Sequence, residues 1–170
     1  MTNPGFQAVD AFIVKYNELL REKMKSFEDV VLIRQTGKGE FKDEIDYFKT
    51  GFIHVTQYCA VNFLVVFDDD GPERSEALGE NPNVSLIYLR VIGAPEIYAH
   101  GLDDQSVYSC GVNAEAFFRS MTCVLEKELQ WVRQENGDLD EEFLRSLLDK
   151  CIAFNNGEER FRPFYELLLL

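Results

Sequence analysis

The sequence predicts an α+β fold with an N-terminal helix, a central, mainly antiparallel sheet of about 4–5 strands, and C-terminal helices packed on it. Two observations lead to this prediction. Apolar residues recur at helical spacing near both ends of the chain, and short β-branched runs bounded by turn residues fill its middle. No linker divides the 170 residues, so residues 1–170 are expected to form a single domain.

The first predicted helix covers residues 4–26. Asn3 can cap it, and Pro4 suits the first helical position because proline lacks a backbone N–H. Its apolar face consists of residues spaced by three or four positions, namely Phe6, Val9, Phe12, Ile13, Tyr16, Leu19 and Leu20. We expect this face to pack across the sheet.

The predicted strands follow in the middle of the chain. They are the apolar and β-branched runs at residues 30–33, 52–58, 62–67, 84–92 and 96–100. No Gly or Pro separates 52–58 from 62–67, so one long bent strand is the alternative for these two runs. Residues 93–95, Gly-Ala-Pro, are expected to form a hairpin turn between the last two of these strands. The polar stretches 68–83 and 103–113 are predicted to be loops.

Helices fill the last third of the chain. Asn113 can cap a helix that runs to about residue 135, and either Asp138 or Asp140 can cap the next one, which Asn-Asn-Gly at 155–157 ends. A short helix is predicted for residues 163–170. Its four terminal leucines either fold back into the core or pack in a homodimer.

The charge of the chain restricts its partners. Thirty Asp and Glu stand against 17 Lys and Arg, which gives a formal net charge of -13. Such a surface repels nucleic acid and anionic lipid and attracts cationic proteins. No basic segment precedes an apolar N-terminal stretch, and no apolar run is long enough to span a bilayer. We therefore expect a cytoplasmic protein that binds neither nucleic acid nor membrane.

Cysteines and histidines show no catalytic or metal-binding spacing. The four cysteines, Cys59, Cys110, Cys123 and Cys151, include no C-x-x-C pair and are expected to be free, mostly buried thiols. Cys123 and Cys151 lie in helical apolar stripes, whereas Cys59 and Cys110 are less clearly part of the core. His54 and His100 have no carboxylate or cysteine at ligand spacing. No metal, cofactor or catalytic residue is assigned.

Carboxylates gather at two places. The first acidic group comprises Asp68, Asp69, Asp70, Glu73 and Glu76, and the second comprises Asp138, Asp140, Glu141 and Glu142. The first is not an EF-hand loop, because Gly71 arrives too early and Pro72 disrupts the turn. Surface carboxylates accelerate association with a cationic partner. The two groups predict a binding protein that neutralises a basic protein, as a bacterial immunity protein neutralises a toxin domain.

Two alternatives stay open. The run from Arg34 to Gly39 spells R-x-x-G-x-G and resembles the acyl-coenzyme A loop of GNAT acetyltransferases, whose backbone amides cradle a pyrophosphate. That resemblance implies a small acyl-coenzyme A-dependent transferase, although several strands precede the loop in that family and only one predicted strand does here. The second alternative is a regulatory homodimer that associates through the C-terminal helices. A binding protein is favoured over an enzyme.

Overall fold

The computed structural model describes the backbone of part of the chain and the side chains of a smaller part. Backbone is described for residues 4–23, 53–54, 62–66, 86–90, 96–101, 107–135 and 137–170. Side chains are described for residues 4–22, 96–99, 107–135 and 137–170.

Four α-helices occupy most of the described residues. They are α1 (Pro4–Lys23), α2 (Ala114–Arg133), α3 (Glu141–Phe154) and α4 (Arg162–Leu169), and a short 3-10 helix, Glu159–Phe161, leads into α4. The four corresponding helices expected from the sequence are confirmed, with ends that differ by a few residues.

The caps explain where α2 and α3 begin. The Asn113 side chain accepts a hydrogen bond from the Ala116 N–H at 2.8 Å, which satisfies one of the free amides of the first turn of α2. The Asp140 carboxylate accepts from the Glu142 N–H at 3.2 Å and does the same for α3. Of the two predicted caps of α3, Asp140 is therefore the one that is used.

Five short strands are described by their backbone. They are β1 (Ile53–His54), β2 (Asn62–Val66), β3 (Leu86–Arg90), β4 (Ile97–Gly101) and β5 (Val107–Gly111), paired in the order β1-β2-β3-β4-β5. β2 and β3 run parallel, and the other neighbouring pairs are antiparallel. The register pairs Leu89 with Ala99 and Ala99 with Tyr108.

The predicted architecture, an α+β fold built on a central sheet of about 4–5 strands, is wrong. Among the residues whose side chains are described, four helices accompany a two-stranded antiparallel sheet, β4 with β5, and 74% of these residues are helical, whereas β1 to β3 are described by backbone alone. The prediction assumed that each apolar helix face needs a sheet to cover it. Instead α1 packs on α2, and α2 packs on α3. Two amphipathic helices can bury each other's stripes.

The contact between α1 and α2 shows how this helical core forms. The Phe12 ring meets the edge of the Phe118 ring with centroids 5.6 Å apart. Ion pairs flank this contact, since Lys15 Nζ lies 2.8 Å from a Glu126 carboxylate oxygen and an Arg133 nitrogen lies 2.6 Å from a Glu18 oxygen. The apolar face of α1 therefore packs on α2 and not across a sheet.

The predicted loop at 103–113 is wrong for residues 107–111, which form β5. This strand faces the helices through Cys110, which is fully buried, and Tyr108, whose ring centroid lies 6.1 Å from that of Phe164. At its end, Gly111 passes so close to α2 that an added Cβ would lie 2.8 Å from the Phe117 Cβ and 2.8 Å from the Asn113 carbonyl oxygen. Burial does not alternate along β5, so the period-two pattern that reveals a strand in a sequence is absent here.

The leucine tail folds back in part. Leu168 and Leu169 are buried in the core, whereas Leu167 and Leu170 are 54% and 62% exposed. Lys127 of α2 donates from Nζ to the Leu168 carbonyl oxygen at 2.9 Å, which holds the end of α4 against α2. Within the described ranges, no helix has the length and apolar character needed to cross a membrane.

Candidate functional site

The second acidic group lies on the surface where α3 begins. All four of its members, Asp138, Asp140, Glu141 and Glu142, are exposed. They are held by the regular backbone of the helix start, because Asp140 is the cap and the next two residues form the first turn. The partial positive charge at a helix N-terminus favours carboxylates here. The structure thus places these four predicted site residues together.

The four carboxylates are not equivalent. Asp140 is occupied by its capping hydrogen bond. Glu141 pairs with Arg145 one turn later, through oxygen–nitrogen contacts of 2.6 Å and 3.0 Å. Within the part of the chain that is described, Asp138 and Glu142 form no ion pair. Two free carboxylates, Asp138 and Glu142, are therefore available to a cationic partner.

Several predicted features lie outside the described residues. They are the first acidic group (Asp68, Asp69, Asp70, Glu73 and Glu76), the acyl-coenzyme A-like loop from Arg34 to Gly39, the predicted strand at 30–33, and Cys59. His54 and His100 lie on β1 and β4, and only their backbone is described. The second acidic group is the part of the predicted surface that can be located.

A second notable arrangement lies in the interior, where α2 crosses α3. We call it the buried polar cluster, and it consists of Ser120, Cys123, Cys151 and Asn155. The Asn155 amide nitrogen donates to Ser120 Oγ at 3.2 Å and to the Cys151 carbonyl oxygen at 2.8 Å. Its amide oxygen accepts from the Val112 N–H at 2.9 Å. Asn155 thereby links α2, α3 and the residue after β5.

Ser120 and Cys151 join the two helices directly. Ser120 Oγ donates to the Cys151 carbonyl oxygen at 3.4 Å, and Cys151 Sγ lies 3.5 Å from the Ser120 carbonyl oxygen. Ser120, Cys151 and Asn155 are all fully buried. Because buried polar atoms without partners are costly, these reciprocal bonds are what lets a serine and an asparagine sit in an apolar interface.

The two thiols of the cluster differ in environment. Cys123 is half-buried, and a hydrogen bond with Cys151 is the main cause that lowers its pKa below the ordinary value. Lys150 acts in the same direction, whereas burial and Glu126 oppose it. The same interaction with Cys123, together with burial, raises the pKa of Cys151 far above its ordinary value. The pair therefore combines a partly accessible thiol whose pKa is lowered with a buried thiol whose pKa is raised.

Cys110 behaves differently from its sequence-based prediction. It was expected to be less clearly part of the core, but it is fully buried, and its thiol donates to the Ile97 carbonyl oxygen at 3.2 Å. Burial raises the pKa of Cys110 well above its ordinary value. The Tyr165 hydroxyl, also buried, donates to the Cys110 carbonyl oxygen. The Tyr165 bond joins α4 to β5, the Cys110 thiol bond joins β5 to β4, and both side chains are buried.

Sequence reasoning gave Ser120 and Asn155 no role beyond local structure. The sequence pattern assigns Asn155 only to the end of a helix and assigns no role to Ser120. Its position is the signal that could have revealed Ser120, because it lies on the apolar face of its helix, where a buried hydroxyl requires a hydrogen-bond partner. The identity of that partner depends on how α2 and α3 pack.

Among the residues with described positions, no group of three or more histidine, cysteine, aspartate or glutamate side chains is arranged to hold a metal ion. Comparisons with protein-family models, with curated proteins and with solved structures find no match for this chain.

Proposed function

We propose that this chain is a cytoplasmic protein that binds and neutralises a basic protein partner, in the manner of a bacterial immunity protein acting on a toxin domain. Its net charge of -13 supports a cationic partner over nucleic acid or an anionic membrane. The second acidic group supplies a located surface for that contact.

One observation carries the proposal. Asp138 and Glu142 are exposed and form no ion pair with a described residue, although Arg145 lies on the same helix and pairs with Glu141 instead. Their backbone is fixed by the Asp140 cap, so little ordering is needed before a lysine or arginine binds. Free carboxylates on a rigid helix start suit electrostatic capture of a basic surface.

Apolar side chains beside the carboxylates can prolong the contact. Phe143 and Leu144 follow directly on α3 and are only half-buried. In protein complexes, charges at the rim mainly set the association rate, whereas buried apolar anchors mainly set the dissociation rate. We therefore assign Asp138 and Glu142 to capture and Phe143 and Leu144 to retention.

The test uses two variants that carry the same charge. Asp138→Asn/Glu142→Gln removes both free carboxylates, and Asp149→Asn/Glu166→Gln removes two exposed carboxylates elsewhere, so each variant has two fewer negative charges. Basic proteins retained from a lysate of the source organism are identified, purified, and mixed with each variant in a stopped-flow instrument. Association is measured between about 50 mM and about 300 mM salt.

The expected result is a rate difference that depends on position. The wild-type rate should fall about tenfold over this salt range, and the Asp138/Glu142 variant should associate roughly three to five times more slowly than the control at low salt. Equal rates for the two variants would mean that only net charge matters. An association that does not depend on salt, or the absence of any basic partner, would contradict the proposal.

A second candidate function, a regulatory homodimer, is favoured by one observation. Leu167 on α4 and Leu170 directly after it expose 54% and 62% of their surface, beside the buried Leu168 and Leu169. Exposed leucines on the last helix are suited to pack against a second copy. Sedimentation velocity on the free chain separates the two proposals, because the homodimer requires self-association without any basic partner.

A further inference from the structure

The two thiols of the buried polar cluster lie on facing helices. Cys123 lies on α2, one turn beyond Ser120, and Cys151 lies on α3 opposite Ser120, to which it is hydrogen-bonded in both directions. The side chains of Cys123 and Cys151 also interact with each other, although both are free thiols. The crossing of α2 and α3 therefore brings the side chain of Cys123 to that of Cys151, and no disulfide joins them.

The surroundings give the two thiols different roles. Cys123 is half-buried and therefore partly open to small solutes, whereas Cys151 is fully buried. The positive charge of Lys150 favours the thiolate form of Cys123. A thiolate that solutes can reach is the form of cysteine that reacts with oxidants. Cys123 has these properties and Cys151 does not.

We propose that Cys123 and Cys151 form a dithiol site that small hydroperoxides oxidise to an intramolecular disulfide linking α2 to α3. Cys123 reacts first with the peroxide, and Cys151 then completes the bond. The site is independent of the acidic surface proposed for partner binding.

The chemistry requires two steps. The Cys123 thiolate attacks one oxygen of hydrogen peroxide, the O–O bond breaks, and the products are a sulfenic acid and hydroxide, which takes up a proton to become water. The Cys151 sulfur then attacks the Cys123 sulfur, the S–O bond breaks, and the departing hydroxide leaves as water with the Cys151 proton. In total, two thiols lose two electrons, and one peroxide is reduced to two waters.

The first step prepares the second. Interaction with Cys123 is the largest cause of the raised pKa of Cys151. When Cys123 becomes an uncharged sulfenic acid, the part of this interaction that comes from its negative charge is lost, while burial still raises the pKa of Cys151. Cys151 is fully buried and keeps its proton while Cys123 is reduced, so we assign the first step to Cys123 and the second to Cys151. Cys110 has no such partner among the described thiols, and its side chain is committed to the Ile97 carbonyl.

The principal test uses the wild-type chain. The fully reduced protein is treated with hydrogen peroxide under native conditions, remaining thiols are alkylated, and peptides are analysed by mass spectrometry without reduction. We expect a peptide in which Cys123 is linked to Cys151, from monomeric protein that has lost two hydrogen atoms. Preferential oxidation of Cys59 or Cys110, with no Cys123–Cys151 peptide, would overturn the proposal.

Variants then assign the order of the steps. In Cys151→Ser, the sulfenic acid on Cys123 should persist and be trapped by dimedone, whereas Cys123→Ser should leave Cys151 unmodified. Cys151→Ala serves the same purpose if the serine variant does not fold, and circular dichroism checks both. Trapping of dimedone on Cys151 in the Cys123→Ser variant would contradict the assigned order.

A charge variant tests the role of Lys150. Because Lys150 is exposed, its substitution should not disturb the fold. Lys150→Met should slow the loss of the Cys123 thiol to peroxide by about two- to fivefold, since less thiolate is present. Arg145→Met removes the same charge from the same helix farther from Cys151 and should leave the rate unchanged. Equal slowing in both variants would contradict a local effect of Lys150.

Discussion

At its N-terminal end α3 presents Asp138 and Glu142 to solvent without ion-pair partners in the described chain, whereas at its C-terminal end Asn155 is buried and fully hydrogen-bonded. Both ends of the helix are polar. At the buried end each group already has a protein partner. At the exposed end two carboxylates remain available to another molecule.

The difference between these two ends shows what burial does to a polar group. A buried amide contributes to stability only while its partners are present, and removing it leaves them unsatisfied. An exposed carboxylate keeps its hydration whether or not a partner is present, so its removal costs the fold little. Substitutions at the buried end should therefore change stability, and substitutions at the exposed end should change binding.

Asn155→Ala should have the largest effect on stability. It removes the bonds to Ser120, to the Cys151 carbonyl and to the Val112 N–H, and we expect the free energy of unfolding to fall by about 2–4 kcal/mol. Urea denaturation measures this change. The matched control is Asn156→Gly, because Asn156 is exposed with a φ of 61°, which glycine adopts easily. Equal loss in both variants would refute the role of the cluster.

Tyr165→Phe should have an intermediate effect. The substitution keeps the ring in the core and removes only the hydroxyl that donates to the Cys110 carbonyl oxygen. We expect a loss of about 1–1.5 kcal/mol, which thermal denaturation can measure. A variant as stable as the wild type would show that this hydrogen bond gives no net stabilisation. The stabilising effect of buried polar groups would then be supported by Asn155 alone.

Asp140→Ala should have the smallest effect of the three. It removes the cap of α3, and we expect a loss of about 0.5–1 kcal/mol by urea denaturation. Asp140→Asn should restore most of this stability, because asparagine caps helices as well as aspartate does. If Asp140→Asn were as destabilising as Asp140→Ala, the negative charge at the start of α3 would contribute to stability. That result would contradict the assignment of the exposed end to binding.

Local signals predicted the helices well. The spacing of apolar residues from Phe6 to Leu20 and the caps Asn113 and Asp140 depend on residues close in sequence, and the structure confirms them. How these helices pack on one another depends on residues that are far apart in sequence. Nothing in the pattern of α1 distinguishes a face that covers a sheet from one that covers α2, and the predicted central sheet is wrong for this reason.

The buried polar cluster could not be predicted from the sequence for the same reason. Cys123 and Cys151 were recognised as members of apolar stripes, but their proximity arises only because α2 and α3 cross at Ser120. Their sequence separation gives no hint of it. The second acidic group is different, since four carboxylates within five residues at a helix start must share one surface. Its location was predictable, although its partner is still a proposal.

Gly111 sets a limit on how this protein can change in evolution. Any larger residue there would press a Cβ against Phe117 and the Asn113 carbonyl, so β5 and α2 would have to separate. Asn113 is constrained at the same place because it caps α2. Distant relatives should therefore keep the pattern G-x-N-x-x-x-F across positions 111–117 even where the surface has diverged. This short pattern is a marker by which such relatives can be recognised.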